Sequence, residues 1–414
     1  MSYLRRLRLQ VGKKESIIHT YTARGPSGRA EGEVRDMKRF LCLLLALVLL
    51  LTTAACGQSG SAEAGGLPKV GDKVEGFVVK ELRDFPLVGA KLVLFEHERT
   101  GAQLMYIANN DTNRAFDLTF FTRAVDNTGL PHVFEHSTLD GSEKYPSKAL
   151  FFNLSYQTYN TFMNAMTGSL YTTYPVASRS EAQLLRYADY YTDSCLHPQI
   201  LNDESIYREE AWRYRLADAA DELSIEGTVY SEMQGAQDVS RSAYYNLLRA
   251  AFPGSVIGND SGGEPESIPD MTWEGLRAYH DEYYHPSNCI AYLYGRFEDY
   301  AAFLKLLDEA FAPYEKREFD FADEGYTPIT ESVTVESAFP VESGSGTENS
   351  SDIFYAFLCP GVKEDREQEN ILNTLTDLLV ADASPLMQSL KRAMPSGSFA
   401  CYIEIEGPQD MIVY

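Results

Sequence analysis

The residues most able to do chemistry are in the segment Pro131-His132-Val133-Phe134-Glu135-His136. Positions i and i+4 of a helix lie one turn apart on the same face, so His132 and His136 can direct two imidazole nitrogens at one cation. Pro131 is suited to a first helical turn, where its missing N–H costs nothing. Glu135 lies three positions after His132 and can reach a water on that cation. The spacing therefore predicts a helix that binds a metal and carries a carboxylate beside it.

This HxxEH pattern is typical of zinc hydrolases. A hydrolytic zinc site uses three protein ligands and one open position, and the residues leave Glu209, Glu210 and Glu232 as candidates for the third ligand. Zinc bound in this way lowers the pKa of water from 15.7 toward about 7, and Glu135 could take the water proton and pass it to a leaving amine. Two nitrogens and one oxygen favour zinc, without excluding manganese or cobalt. The alternative is a pair of surface histidines beside a helical glutamate.

Length and charge limit the function classes. The chain has 414 residues, with 36 Lys and Arg against 60 Asp and Glu, for a net charge of −24. This charge argues against a protein that binds nucleic-acid phosphates, and the length predicts two or three domains. No CxxC pair occurs, so a cysteine zinc site or a redox motif is not indicated.

The N-terminal region carries the pattern of an export signal. Met37-Lys38-Arg39 is basic, residues 40–51 are apolar but too short to span a bilayer, and small residues lead to Cys56. The pattern resembles a bacterial lipoprotein signal, which implies lipidation of Cys56 and an extracytoplasmic, membrane-anchored protein. The alternative is a plain secretory signal cut nearby, which implies a secreted protein.

The remaining patterns predict the domain organisation. We expect an untranslated or disordered extension at 1–36, a signal peptide at 37–55, a flexible tether at 56–69, a catalytic domain at 70–330 and a truncated second domain at 331–414. Alternating apolar residues predict three early strands, and helices follow. The fold class is therefore α+β. Predicted elements include a hairpin over 91–97 and 103–108, helices over 203–216 and 272–284, and strands over 224–230 and 290–294.

Several segments together carry a resemblance to a known family. In order and spacing they are similar to the presequence-protease branch of the pitrilysin (insulinase-like, M16) metallopeptidases, over Gly76 to Glu298. The segments are HVFEHSTLDGSEKYPSKALF, YNTFMNAMTGSLYTTYPVAS, EEAWR, GTVYSEMQG and DSGGEPESIPDMTWEGLRAYHDEYYHPSN. The resemblance implies an M16 metallohydrolase domain, of the kind found in LuxS and mitochondrial processing peptidase, followed by a partial second domain of similar class.

The resemblance also implies roles for individual residues. His132 and His136 match the histidine ligands, Glu135 matches the catalytic base, and Glu232 matches the third ligand, giving one Zn²⁺ per chain. Asn164 and Ala165 (as one segment) match an edge strand that pairs with the substrate backbone. For Asn164 the alternative is a hydrogen bond at a turn or strand end.

Members of this branch are about twice as long as this chain, and their second half supplies an Arg and a Tyr for substrate binding. We therefore expect a C-terminal M16 half, from the same gene or a separate subunit, as a partner. Without it this chain should bind zinc but cleave peptides poorly, because the loss of one oxyanion donor costs about 10²–10³ in rate. The predicted function is a zinc endopeptidase acting on peptides or unfolded oligopeptides. The alternative is a non-catalytic peptide-binding or scaffold lipoprotein that keeps the fold.

Overall fold

A computed structural model describes residues 3–11, 66–237, 239–320, 325–341, 351–363, 365–394, 402–404 and 410–413. The predicted signal peptide, Cys56 and most of the predicted tether lie outside these residues. The described residues divide into two compact units. The large unit comprises those of Gly60–Ala236 and Asp260–Ala322, and the small unit comprises those of Met1–Ser59, Gln237–Asn259 and Asp323–Tyr414.

The large unit is built on a ten-stranded mixed sheet. Its strands are β2 (Lys73–Val74), β3 (Phe77–Phe85), β4 (Ala90–His97), β5 (Gln103–Ala108), β6 (Arg114–Phe121), β7 (Phe162–Met163), β8 (Met166–Thr167), β9 (Tyr171–Thr173), β10 (Val176–Ser178) and β13 (Cys289–Gly295). The order is β2-β3-β4-β5-β13-β6-β10-β7, and β9 pairs with both β6 and β8. The pair formed by β5 and β13 is parallel, whereas the other pairs are antiparallel.

Helices connect and cover these strands. They are α1 (Leu130–Thr138), α2 (Leu150–Gln157), α3 (Glu181–Leu196), α4 (Glu204–Glu210), α5 (Thr228–Ala236), α7 (Trp273–Tyr283) and α8 (Ala301–Phe311). A separate two-stranded ribbon, β11 (Arg213–Arg215) and β12 (Ser224–Glu226), joins α4 to α5.

Strand alternation explains why one face of the sheet carries the core. Side chains along a strand point to opposite faces in turn, and in β6 the residues Phe116, Leu118 and Phe120 are buried while their neighbours are only partly so. These side chains belong to one apolar cluster with Leu184 of α3 and Phe303 of α8. The α+β class predicted from the sequence is confirmed.

The small unit has its own five-stranded sheet, in the order β14-β1-β15-β17-β16. Its elements are β1 (Tyr3–Val11), α6 (Val239–Ala251), β14 (Val333–Val341), β15 (Ser351–Cys359), α9 (Arg366–Val380), α10 (Pro385–Ala393), β16 (Tyr402–Glu404) and β17 (Asp410–Val413). Leu247 and Leu248 of α6 pack in an apolar cluster with Ala356, Met411 and Val413 of the strands. This packing explains why residues 237–259, which we expected within a continuous domain over 70–330, belong to the small unit.

Two local predictions of secondary structure were wrong. The expected helix over 203–216 ends at Glu210, because the chain then turns to pair Arg213–Arg215 with Ser224–Glu226. The expected strand over 224–230 ends at Glu226, because a helix begins at Thr228. Tyr3–Val11, which lies in the extension over 1–36 that we expected to be untranslated or disordered, forms a strand between β14 and β15.

Among the helices that the structure describes, none is both long enough and apolar enough to cross a bilayer.

Candidate metal centre

The start of α1 fixes where the HxxEH residues point. Gly129, just before the helix, has a left-handed φ of 75°, and Pro131 lies in the first turn. A Cβ on Gly129 would lie 2.7 Å from the carbonyl oxygen of Gly262 and 2.8 Å from Cα of Gly263. Only glycine therefore allows this close approach of two backbone segments, and the approach sets the position of α1 against the loop around Gly262.

Three potential ligands converge next to this helix. One ligand atom from each of His132, His136 and Glu232 lies within 4.8 Å of the other two. Oε2 of Glu232 is 3.7 Å from Nε2 of His132 and 3.6 Å from Nε2 of His136. Two imidazole nitrogens and one carboxylate oxygen are a donor set that suits Zn²⁺ with an open fourth position. The structure thus brings together the three residues that the sequence resemblance implied as ligands.

The position of Glu232 depends on the turn before α5. A Cβ on Gly227 would lie 2.1 Å from the carbonyl oxygen of Ala211, so only glycine fits where α5 meets the end of α4. Thr228, the first residue of α5, donates a hydrogen bond to Oε1 of Glu210 at 3.2 Å. These contacts attach the helix that carries Glu232 to the helix that carries Glu210.

Both histidines have their second ring nitrogen engaged. Nδ1 of His132 lies 3.1 Å from the carbonyl oxygen of Gly262, and Nδ1 of His136 lies 3.1 Å from Oε2 of Glu210. Because both partners accept hydrogen bonds, each Nδ1 must carry a proton, so that in the neutral form of each ring the Nε2 lone pair faces Glu232. This arrangement is typical of metal-binding histidines.

The charges around His136 favour its protonated form when no metal is bound. Burial lowers the pKa of this imidazole, but the hydrogen bond to Glu210 and the negative charges of Glu135, Glu210 and Glu232 outweigh burial and raise the pKa above its ordinary value. Burial and the charge of Glu210 also raise the pKa of Asp140 to about 7. A cation at this position would therefore replace a proton on His136.

Glu135 is buried and held from the sheet. Thr167 of β8 donates a hydrogen bond to Oε2 of Glu135 at 2.6 Å. This leaves the second carboxylate oxygen, Oε1, to accept a proton from a water molecule beside the histidines.

The predicted substrate-binding residues lie at an edge of the sheet. Asn164 and Ala165 join β7 to β8, which are the outermost strands at this side of the described sheet. The backbone N–H of Asn164 donates to the carbonyl of Pro175, and its carbonyl accepts from the hydroxyl of Tyr191, while its side chain is exposed. Ala165 is buried. Strand-end hydrogen bonds and an edge position therefore occur together at Asn164.

The two other glutamates proposed from the residues as third ligands have different roles. Glu209 is exposed and pairs with Lys148 at 2.6 Å. Glu210 contacts Nδ1 of His136 and not the nitrogen that faces Glu232. Sequence reasoning therefore included Glu210 for the wrong role, and it missed Thr167, Asp140 and the Gly262 carbonyl. No local pattern marks these three groups.

Comparison with known proteins adds the family. Protein HypA of Clostridium perfringens is 34% identical over 322 residues, which are 76% of this chain and 32% of that protein. Mitochondrial presequence protease of Mus musculus is 32% identical over 332 residues, which are 78% of this chain and 31% of that protein. Presequence protease 1 of Arabidopsis thaliana is 37% identical over 227 residues, 55% of this chain and 21% of that protein.

The chain belongs to the M16 peptidase family. The resemblance found in the sequence is thereby confirmed. This M16 chain spans about a third or less of the length of these curated relatives.

Solved M16 structures share the fold. Pitrilysin superposes with a TM-score of 0.55 at 17% identity, covering 82% of this chain and 35% of that one. A putative M16-like peptidase from Alicyclobacillus acidocaldarius has a TM-score of 0.55 at 16% identity, covering 80% of this chain and 74% of that one.

A family model described as the Peptidase M16 inactive domain matches residues 270–402. That match lies C-terminal to His132, Glu135, His136 and Glu232. It therefore concerns a part of this M16 chain other than the candidate metal centre.

Proposed function

We propose that this M16 chain is a zinc-dependent endopeptidase that hydrolyses peptides or unfolded oligopeptides. His132, His136 and Glu232 would hold one Zn²⁺, and Glu135 would be the general base. The observation that carries the proposal is the convergence of these three ligand atoms within 4.8 Å of one another, beside a buried glutamate. A structural role alone does not require a buried carboxylate next to two ligands.

The chain's own residues then perform definable steps. When bound, Zn²⁺ polarises a peptide carbonyl and lowers the pKa of water from 15.7 to about 7. Glu135 takes the proton of the attacking water and passes it to the leaving amine. Thr167 holds one oxygen of Glu135 and so directs the other toward the reacting groups. Glu210 and the Gly262 carbonyl keep the imidazoles in the tautomer that exposes Nε2.

The peptide would bind as an added strand. The strands β7 and β8, the second of which contains Thr167, lie at an edge of the described sheet, and a peptide added there as a strand would be recognised largely through its main chain. We assign Asn164 and Ala165 to this contact. Because Thr167 also contacts Glu135, a peptide on this edge would lie close to the general base.

Metal analysis combined with one substitution tests the proposal. Purified protein should contain one zinc per chain by mass spectrometry and should cleave a quenched fluorescent peptide slowly, and faster once a C-terminal M16 half is added. Glu135→Gln should keep the zinc and lower the cleavage rate by about 10²–10⁴-fold. Glu209→Gln removes a neighbouring but exposed carboxylate and should change neither quantity. Zinc-free protein, or cleavage that Glu135→Gln leaves intact, would contradict the proposal.

A second candidate function is a non-catalytic peptide-binding or scaffold protein with the M16 fold. The match of residues 270–402 to the inactive domain favours it. This function predicts that peptides bind without being cleaved and that His132→Ala leaves binding unchanged. In the fluorescent-peptide assay the first candidate function therefore predicts cleavage, whereas the second predicts none.

We also propose a partner for this chain and a cellular location. Because the matched segments make up only 31–32% of these relatives, a second M16 half from the same gene or a separate subunit would complete the substrate-binding site, and adding it should increase cleavage. The motif ending at Cys56 supports lipidation and an extracytoplasmic membrane anchor. Cys56→Ser should then move the protein from the membrane fraction to the soluble fraction.

A further inference from the structure

One side of strand β8 has no neighbour in the described sheet. β8 pairs with β9 alone, and the N–H of Gly168 donates to the carbonyl of Tyr171 in β9. Backbone groups of alternate residues in a strand point to the same side, so those of Ala165 and Thr167 point away from β9. Among the residues that the structure describes, none accepts a hydrogen bond from the N–H of Ala165. A peptide added at this edge would find that donor free.

The direction of this N–H is set by a tyrosine on α3. The hydroxyl of Tyr191 donates to the carbonyl of Asn164 at 2.9 Å. The peptide bond between Asn164 and Ala165 is trans, so its C=O and its N–H point in opposite directions. The hydroxyl that holds the carbonyl of Asn164 therefore also holds the N–H of Ala165, directed away from α3. Burial raises the pKa of Tyr191 well above its ordinary value, so the hydroxyl keeps its proton and remains a donor at neutral pH.

Tyr191 is itself held against the helix that carries the HxxEH residues. Its ring centroid lies 5.9 Å from that of Tyr174, and the hydroxyl of Tyr174 lies 2.8 Å from the hydroxyl of Tyr284. The ring of Tyr284 in turn contacts Phe134 of α1, with centroids 4.3 Å apart. All four rings are buried. Packed side chains therefore connect the carbonyl of Asn164 to the residue next to Glu135.

We propose that Tyr191 is a positioning residue for the substrate, whose hydroxyl directs the N–H of Ala165 toward a carbonyl of the peptide bound at the edge of β8. This inference rests on the proposed function, because it names what orients the edge that we propose to bind peptide. Without the hydroxyl, the carbonyl of Asn164 loses its donor, and the peptide unit that it shares with Ala165 becomes free to rotate. Tyr191 contacts none of the three metal ligands, so its loss should weaken peptide binding and leave zinc binding unchanged.

Peptide binding in a Glu135→Gln background tests the proposal without cleavage. The probe is a fluorescein-labelled six-residue peptide, and its Kd is measured by fluorescence anisotropy. Tyr191→Phe removes the hydroxyl and keeps the ring, and it should raise the Kd about tenfold. Zinc content, measured by mass spectrometry, should not change.

Tyr106→Phe is the matched control. Tyr106 is also buried, and its hydroxyl also donates to a backbone carbonyl, that of Gly295, at 3.2 Å. It lies on β5, which β13 and β6 separate from β9. Both phenylalanine variants lose a buried hydrogen bond and should lose similar stability, but Tyr106→Phe should leave the Kd unchanged.

A second set of probes separates the orientation of one N–H from a general loss of structure. In each of these peptides one amide bond is replaced by an (E)-alkene, which removes a carbonyl acceptor. At one position the replacement should weaken binding about tenfold, because it removes the acceptor for the N–H of Ala165. In the Tyr191→Phe protein the replacement at this position should weaken binding by no more than about twofold. Replacements elsewhere should have the same effect on both proteins.

The outcomes separate this inference from the proposed function. If the parent protein binds none of the peptides, both fail. If it binds them and Tyr191→Phe binds them equally tightly, only this inference is overturned. The same conclusion follows if every alkene replacement weakens binding equally in the two proteins, or if zinc content falls together with affinity. In those cases the hydroxyl stabilises the large unit and does not orient the N–H of Ala165.

Discussion

The two histidines of α1 are held by chemically different groups. His132 donates to a neutral backbone carbonyl, that of Gly262, whereas His136 donates to the carboxylate of Glu210. A backbone carbonyl is present whatever the side chain of its residue. Its hydrogen bond to the histidine is lost, however, if the backbone moves. A carboxylate adds charge and raises the pKa of its imidazole, but one substitution removes it. The same ligand geometry is thus secured in two ways with different weaknesses.

The largest effect is expected from a substitution at Gly129, which tests the backbone carbonyl that holds His132. Gly129→Ala places a methyl group 2.7 Å from the carbonyl oxygen of Gly262 in a left-handed conformation. We expect the free energy of unfolding to fall by at least about 3 kcal/mol. Zinc content should also fall, because the carbonyl that holds His132 must move. Urea unfolding and metal analysis measure these effects.

Gly89→Ala is the control for backbone conformation alone. Gly89 also has a positive φ, of 60°, but a Cβ there meets nothing within 4 Å. Gly89→Ala should lower the free energy of unfolding by about 1–2 kcal/mol and leave zinc content unchanged. Equal costs for the two alanine variants would show that the approach of Gly129 to Gly262 is not tight.

The carboxylate side is tested at Glu210. Glu210→Ala removes the partner of His136 and should lower zinc affinity by about 10–100-fold, as measured by competition with a chelator. Glu210→Gln keeps the shape and removes the charge, so its effect should be smaller. Glu209→Gln, at the exposed neighbour, should leave affinity unchanged. Equal affinities for the Glu209 and Glu210 variants would mean that this carboxylate does not support the metal.

A third histidine extends the comparison to a ring with a carbonyl partner and no carboxylate partner. His280 contacts the carbonyl of Cys195, and burial lowers its pKa to about 4. The unfolded chain, with an ordinary pKa of 6.5, therefore binds more protons than the folded one between these values. Stability should be unaffected above pH 7 and should fall as pH drops, by about 2 kcal/mol at pH 5.

His280→Gln should remove this part of the pH dependence. The measurement is the free energy of unfolding at pH 8 and pH 5, with a chelator present so that zinc does not contribute. Other titrating groups contribute equally to both proteins, so the difference isolates His280. An identical pH dependence in the variant would show that His280 is already protonated in the folded state at pH 5.

The difference between the two supports also explains what the sequence could predict. The i, i+4 spacing of His132 and His136 is a property of one helix, so local pattern was sufficient to expect two ligands on one face. Glu232 was one of three candidates until the family resemblance selected it. Its position depends on the close packing of Gly227 against Ala211, which no local pattern shows.

The groups that hydrogen-bond to the two histidines were harder to predict than the histidines themselves. The acceptor for His132 is a main-chain atom, and any residue type supplies one, so residue identity carries no signal for it. Glu210 was noticed because it is acidic, but a ligand and a partner of a ligand have the same side chain. The helix predicted over 203–216 ends early for a different reason, since pairing of Arg213–Arg215 with the following strand Ser224–Glu226 outweighs the helical pattern.

Glu135 completes the comparison, because its support comes from a side chain on the sheet edge and not from a loop or a helix. Thr167→Val removes the hydroxyl that donates to Glu135 and keeps the β-branched shape that β8 requires. Zinc content and KM should be unchanged, and kcat should fall about tenfold, because the carboxylate loses its fixed orientation. Thr167→Ser keeps a hydroxyl and should restore most of the rate.

A fall in zinc content would instead mean that Thr167 supports the whole of α1, and a rate unchanged by valine would mean that packing alone orients Glu135. A loss of kcat alone would show that the strand proposed to hold the peptide also positions the base that acts on it.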